Sequence, residues 1–230
     1  MRVNNFVSRL LACVAIMTLA TVANADVWDE IGDGGGDAGA FPGGSFQTQS
    51  SSTVFDSITG NNLDGIDSYL ITVTDAATFY IEDLGGNDTQ AFVWGTDGSA
   101  LYANDDNAGP NATGFSFGFG NPGSSHLGNV IGSPTPLSDG DEIILSVGAF
   151  GDVATGSGGT GDAFLDDGGD FEALRAPSGE AFAGYAAGGS GDYNISLTGA
   201  QFGSAKTIPE PTTFGLFGLV GLTALSRRRR

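Results

Sequence analysis

Asp192-Tyr193-Asn194-Ile195-Ser196-Leu197-Thr198 sets Tyr193, Ile195 and Leu197 on one side and Asp192, Asn194 and Ser196 on the other. Successive side chains of an extended strand point to opposite faces, so this heptad reads as a strand with one dry face and one wet face. The same period recurs upstream. Glu142 to Phe150 places Ile143, Leu145, Val147 and Ala149 together. Tyr69, Ile71 and Val73 alternate with Leu70 and Thr72, and Phe79 and Ile81 continue after a turn at Asp75-Ala76. Gln90 to Trp94 is a further run, followed by the turn Thr96-Asp97-Gly98-Ser99 and the short run Leu101-Tyr102. No window of eleven or more residues in the body has the 3.6 period of a helix. Many short strands separated by Gly, Asp and Asn turns predict an all-β fold, an antiparallel sandwich or barrel.

Two stretches fit this pattern less well. Phe115 to Asn121 alternates aromatics with Gly and Ser, as a strand whose glycines allow close backbone approach. Residues 151–190 are rich in glycine and read as a long insertion with one short helical turn around Asp170–Arg175.

The composition narrows the function classes. The chain has 230 residues, 39 of them Gly and 16 Phe, and 40% are hydrophobic, which suits one folded domain with short appendages. Acidic residues outnumber basic ones 27 to 8, for a formal charge of −19. A basic nucleic-acid surface is excluded, because the phosphate contribution needs Lys and Arg. The only cysteine is Cys13, which excludes a disulfide framework, a thiol enzyme and a cysteine-zinc site.

The basic residues collect at the two ends. Residues 1–25 hold Arg2 and Arg9, an apolar run from Leu10 to Val22, and Ala23-Asn24-Ala25. This is the pattern of a secretory signal helix cut after Ala25, with Ala23 and Ala25 as the small residues of the cleavage site. The C-terminus runs Pro209-Glu210-Pro211, then an apolar stretch within residues 212–226, then Arg227, Arg228, Arg229 and Arg230. A short hydrophobic helix held at the inner membrane by cytoplasmic arginines is expected there. This three-part tail resembles the PEP-CTERM sorting signal. The resemblance implies that an exosortase recognises Pro209, Glu210 and Pro211, cuts near them and releases the body to the cell surface or extracellular matrix. The expected division is 1–25 signal peptide, 26–45 Gly/Asp-rich lead-in, 46–203 body and 204–230 sorting tail.

Three islands of the body are also similar to one family. Asp64-Gly65-Ile66-Asp67-Ser68-Tyr69-Leu70-Ile71-Thr72-Val73, Trp94 to Asp106, where the family has a D-x-G turn leading into N-D-D and this chain has Thr96-Asp97-Gly98-Ser99 and Asn104-Asp105-Asp106, and Gly191 to Gly199 resemble the bacterial prepeptidase C-terminal (PPC) domain. That resemblance implies a jelly-roll-like β-sandwich of secreted proteins, sometimes calcium-stabilised and not itself catalytic.

Candidate chemistry follows the carboxylates. Calcium takes six to eight oxygen ligands from flexible loops. Asp64 with Asp67, and Asn104, Asp105, Asp106 and Asn107, supply such oxygens at strand ends, and Asp162, Asp166, Asp167 and Asp170 form a third group. The competing reading makes these residues turn formers and solvated charge. Gly114-Phe115-Ser116-Phe117-Gly118 has the spacing of a nucleophile elbow, but Gly120, Pro122 and Gly123 follow where a helix is required. His126 is the only histidine and sits in a Pro-Gly-Ser turn. No enzyme is expected and no cofactor is required, with Ca2+ as the one candidate ion.

The expected function is a secreted, non-enzymatic surface or matrix protein in a structural or adhesive role. Its partners would be signal peptidase and exosortase during export, the inner membrane transiently, and extracellular polysaccharide, with no nucleic acid. The alternative is a carbohydrate-binding module that stacks sugars on Trp28, Trp94, Tyr102 or Tyr185, residues that the competing reading places in the core.

Overall fold

The computed structural model describes residues 26–202 except 31, 34–37, 50–53, 63–64, 86, 107–116, 121–129, 150, 158–161, 167–172 and 187–188. The expected signal helix and C-terminal hydrophobic helix lie outside these residues. In chain order the strands are β1 (Val27–Asp29), β2 (Ser57–Asn61), β3 (Asp67–Val73), β4 (Tyr80–Asp83), β5 (Thr89–Gly95), β6 (Ala100–Asn104) and β7 (Gly118–Gly120). They continue as β8 (Val130–Ile131), β9 (Glu142–Ala149), β10 (Val153–Gly156), β11 (Leu174–Arg175), β12 (Phe182–Ala186), β13 (Asp192–Thr198) and β14 (Ala200–Phe202). No helix occurs among the described residues.

A five-stranded sheet runs β1-β2-β13-β4-β7 and a seven-stranded sheet runs β14-β3-β9-β5-β6-β11-β8. Pairing is antiparallel except at β1–β2 and β8–β11, which are parallel. The two sheets enclose one core. Ile58, Ile81, Tyr193, Ile195 and Leu197 enter it from the smaller sheet, and Tyr69, Ile71, Val93, Ile143, Leu145, Val147 and Phe202 from the larger. β13 has the expected alternation, with Tyr193, Ile195 and Leu197 buried and Asp192, Asn194 and Thr198 exposed. Gly199, at φ +63°, turns the chain directly from β13 in one sheet to β14 in the other. A Cβ there would lie 2.5 Å from Asp75 O and 2.8 Å from Phe79 N, so only glycine fits.

The larger sheet is covered on its outer face as well. Phe92, Trp94, Ala103 and Ile144 point away from the shared core into a second cluster with Ala154, Ala163 and Phe164. The β10–β12 hairpin brings Phe182 and Tyr185 onto this face, with ring centroids 5.1 Å and 6.3 Å from Trp94. Residues 40–46 lie on the same face as a strap, with Ala40, Phe41 and Phe46 packed against the second cluster. Phe41 N donates to Ser68 Oγ at 3.0 Å, while Ser146 Oγ, at 2.9 Å, and Tyr185 Oη both donate to Phe41 O.

Two expectations are corrected here. The 26–45 lead-in is part of the fold: β1 pairs with β2, and Trp28, 8% exposed, packs against Phe55 and Phe202. A large indole can be removed from water only by joining the core, and this outweighs the chain freedom of its glycine-rich neighbours. In the 151–190 insertion the structure has strands, with Leu174–Arg175 paired to both β6 and β8 where a helical turn was expected. A sheet edge offers backbone partners that an isolated helical turn lacks. Arg175 is the only Lys or Arg among the described residues, and it is 9% exposed.

Both tryptophans are therefore structural. Trp28→Ala and Trp94→Ala should each lower unfolding stability by about 3–5 kcal/mol, the usual cost of emptying an aromatic core site, as read from urea denaturation.

Candidate functional site

Asp67 of β3 pairs with Val147 of β9, Val147 with Ala91 of β5, and Ala91 with Asn104 of β6. Residues opposite one another share a face, so Asp67 and Asn104 stand in one row that points toward the smaller sheet. At the usual strand spacing, three steps separate them by about 14 Å. These two expected calcium positions are therefore not brought together.

Asp67 reaches across to the smaller sheet. Tyr193 Oη lies 2.7 Å from Asp67 Oδ2 and 2.9 Å from Glu30 Oε2, and it also contacts Tyr69 Oη. Glu30 additionally accepts the backbone N–H groups of Ala38, at 3.3 Å, and Asn61, at 3.4 Å. All four side chains are buried. A phenol carries one hydrogen, so Tyr193 donates to one carboxyl at a time and the four groups form one coupled proton network. Burial, followed by the charges of Asp67 and Glu30, holds the Tyr69 hydroxyl far above the ordinary tyrosine range. Burial also raises Tyr193, with Tyr69 and Asp67 as the next largest causes. Gly60 leaves the necessary room, since a Cβ there would collide with Tyr193 Oη.

Asn104 is a second connection between the sheets. Its Oδ1 accepts Gly118 N–H of β7 at 2.9 Å, and its Nδ2 donates to Ala173 O at 3.3 Å. Asp105 is buried and Asp106 half-buried, while Asp64 and Asn107 lie outside the described residues. In the third group, Asp162 bridges to Thr155 and Asp166 is exposed, with Asp167 and Asp170 outside. Among the described residues, no three or more His, Cys, Asp or Glu side chains come together as a metal site. His126 and Ser116 also fall outside.

The aromatics weighed as sugar platforms are packed inside. Trp94 and Tyr102 are fully buried, Trp28 nearly so, and Tyr185 half-buried with its hydroxyl on Phe41 O. Tyr80 and Glu82 of β4 are buried, so among the described residues the outer face of the smaller sheet is open along β2 and β13. There Ser57 pairs with Ser196, Thr59 with Asn194 and Asn61 with Asp192, giving a band of hydroxyl, amide and carboxylate groups.

Three buried acids carried no sequence signal that singled them out as such. Glu30 meets Tyr193 across 163 residues of chain. Asp83 accepts Gly85 N and Asn194 N at 2.7 Å each and Thr89 Oγ1 at 2.6 Å. Asp152 accepts Ala149 N at 2.8 Å. The nearest local hint is at Asp83, where a glycine two residues later marks an Asx turn.

Ala23, Ala25, Pro209, Glu210, Pro211 and Arg227–Arg230 all lie outside the described residues. Among those described, no helix is long and apolar enough to cross a membrane. The tail is identified by comparison: residues 207–230 match the family model of the PEP-CTERM protein-sorting motif. No curated protein and no solved structure matches the chain.

The tyrosines make a pH prediction. Tyr69, Tyr102, Tyr185 and Tyr193 are all raised above the unfolded value of 10.0, in each case chiefly by burial. A raised folded pKa means that stability is complete below pH 10 and is lost as pH climbs past it, at about 1.4 kcal/mol per pH unit per tyrosine. Phenolate absorbance should therefore appear together with cooperative unfolding. Tyr102→Phe should remove about a quarter of the steepness of that alkaline loss.

Proposed function

We propose that this chain is an exported, non-enzymatic protein of the cell surface or extracellular matrix, its β body displayed after exosortase cuts the tail. The observation that carries this reading is the matched 207–230 motif, in which Pro209-Glu210-Pro211, an apolar run and four arginines follow in order. A PEP-CTERM motif marks a protein secreted and sorted by exosortase. The apolar residues within 212–226 would hold the precursor at the inner membrane, and Arg227–Arg230 would keep its end cytoplasmic.

A structural or adhesive role is supported by how the body uses its chemistry. Its buried acids are engaged with tyrosines and backbone amides, and its aromatics fill two cores. A PPC-like, jelly-roll-type body is supported by where the three similar islands fall. They fall on β3, on β6 with the end of β5, and on β13, and they give the shared core Tyr69, Ile71, Val73, Tyr102, Tyr193, Ile195 and Leu197. The polar band along β2 and β13 is the surface offered to hydroxyl-rich matrix polymers. Between residues 26 and 208 the sequence has 26 acidic side chains against Arg175 and Lys206, so anionic polymers would be repelled at low salt.

The calcium part of this proposal is confined to Asp105 and Asp106, because the oxygens of Asp67 and Asn104 already accept from Tyr193 and Gly118. A calcium-dependent rise in Tm that disappears in Asp106→Asn supports it. An unchanged Tm at millimolar calcium removes it.

Intact-mass spectrometry of surface-extracted protein tests the main reading. The expected mass lacks residues 1–25 and the four terminal arginines, and Pro209→Ala with Pro211→Ala should leave most exported material with its tail. A tail still attached to wild-type exterior protein would overturn the assignment.

A further inference from the structure

Tyr193 Oη stands at hydrogen-bonding distance from three other oxygens: Asp67 Oδ2 at 2.7 Å, Glu30 Oε2 at 2.9 Å, and Tyr69 Oη. Each contact of this kind between two oxygens needs one hydrogen. Tyr193 brings one and Tyr69 at most one, because a phenol has a single O–H, and ionised carboxylates bring none. Two phenolic hydrogens cannot fill three contacts, so the third comes from a carboxyl group. One arrangement satisfies all three. Tyr193 donates to one carboxylate and accepts both from Tyr69 and from the other carboxyl, which is protonated.

The surroundings favour the same count. Arg175, the only Lys or Arg among the described residues, is four strands from Asp67 in the larger sheet, about 19 Å at the usual spacing. It pairs with Ala103 of the second cluster, so it points to the opposite face. The neighbours of the four groups are apolar side chains and backbone. Val147 and Leu145 of β9 stand beside Asp67 and Tyr69, and Phe202 of β14 packs on Tyr69. Gly60 of β2 lies against Tyr193 Oη and Glu30 Oε2. The N–H groups of Ala38 and Asn61 donate to Glu30. Those donors suit one negative charge; two full charges side by side in the core would repel.

We propose that Asp67 and Glu30 share one proton in the folded protein, and that this proton latches three parts of the chain together. Glu30 follows the edge strand β1, Asp67 and Tyr69 belong to the larger sheet, and Tyr193 belongs to the smaller. The step is a simple acid–base one: a carboxylate takes H+ from water on folding and returns it on opening. In the unfolded chain both acids are ionised above about pH 5. The folded state therefore binds one more proton, and stability falls with rising pH until that proton leaves. This loss sets in below the pH range of the tyrosines. Mildly acidic surroundings thus favour the closed body.

Urea denaturation of the full chain between about pH 5 and 9 tests the latch. The wild-type ratio of folded to unfolded protein should fall about tenfold per pH unit over part of this range. Asp67→Asn and Glu30→Gln each supply the third hydrogen from an amide and leave a single carboxylate. Either substitution should flatten the slope. Infrared spectra of the folded wild-type chain at about pH 6 should contain the carbonyl band of a protonated carboxylic acid, and either variant should lose it. A wild-type chain without that slope or that band would overturn the proposal. So would a slope and band that persist unchanged in both variants. Should neither variant fold, the wild-type spectrum alone decides.

Discussion

The seven-stranded sheet has to be dry on both faces, and the rest of the molecule is arranged to meet that demand. β9 alone carries Ile143, Leu145 and Val147 toward one core and Ile144 toward the other. The smaller sheet covers the inner face. Among the described residues the outer face has no second full sheet, so the 40–46 strap and the β10–β12 hairpin cover it with Phe41, Phe46, Phe182 and Tyr185. Parts of what looks like a lead-in and an insertion in the linear chain, residues 40–46 and the β10–β12 hairpin, make a third layer of the fold. Ser68, Ser146 and the Tyr185 hydroxyl fasten the strap through Phe41, so that its backbone is not stranded on an apolar surface.

This arrangement explains which parts of the fold were legible in the sequence. β13 has one wet face, so its heptad alternates cleanly and its strand assignment needs no other information. β5 is buried on both faces and reads as a plain apolar run, identifiable as a strand but not orientable. The strap was invisible to periodicity because only scattered residues anchor it, separated by turns. Leu174–Arg175 is a strand only because β6 and β8 lie on either side, information that no local window contains.

The site was legible to a different degree at each point. The sorting motif at residues 207–230 could be read, because its recognition depends on order along the chain. The acids could not. Asp67 stands out in the sequence for its oxygens, yet its partner Tyr193, which also meets Glu30, is distant in sequence, and their contact is a bond between sheets. Asn104 behaves likewise toward Gly118. Short polar residues at strand ends suit turns, metals and inter-sheet hydrogen bonds equally well, and only tertiary structure separates these uses.

Arg175 has a consequence for life outside the cell. Trypsin-like enzymes cut after an exposed, extended Lys or Arg that can enter a deep specificity pocket. In the folded body the only such side chain described is 9% exposed and lies in a strand flanked by two others. To such an enzyme Arg175 offers no foothold while its strand stays paired, so cleavage at this residue is set by the rate at which the sheet opens.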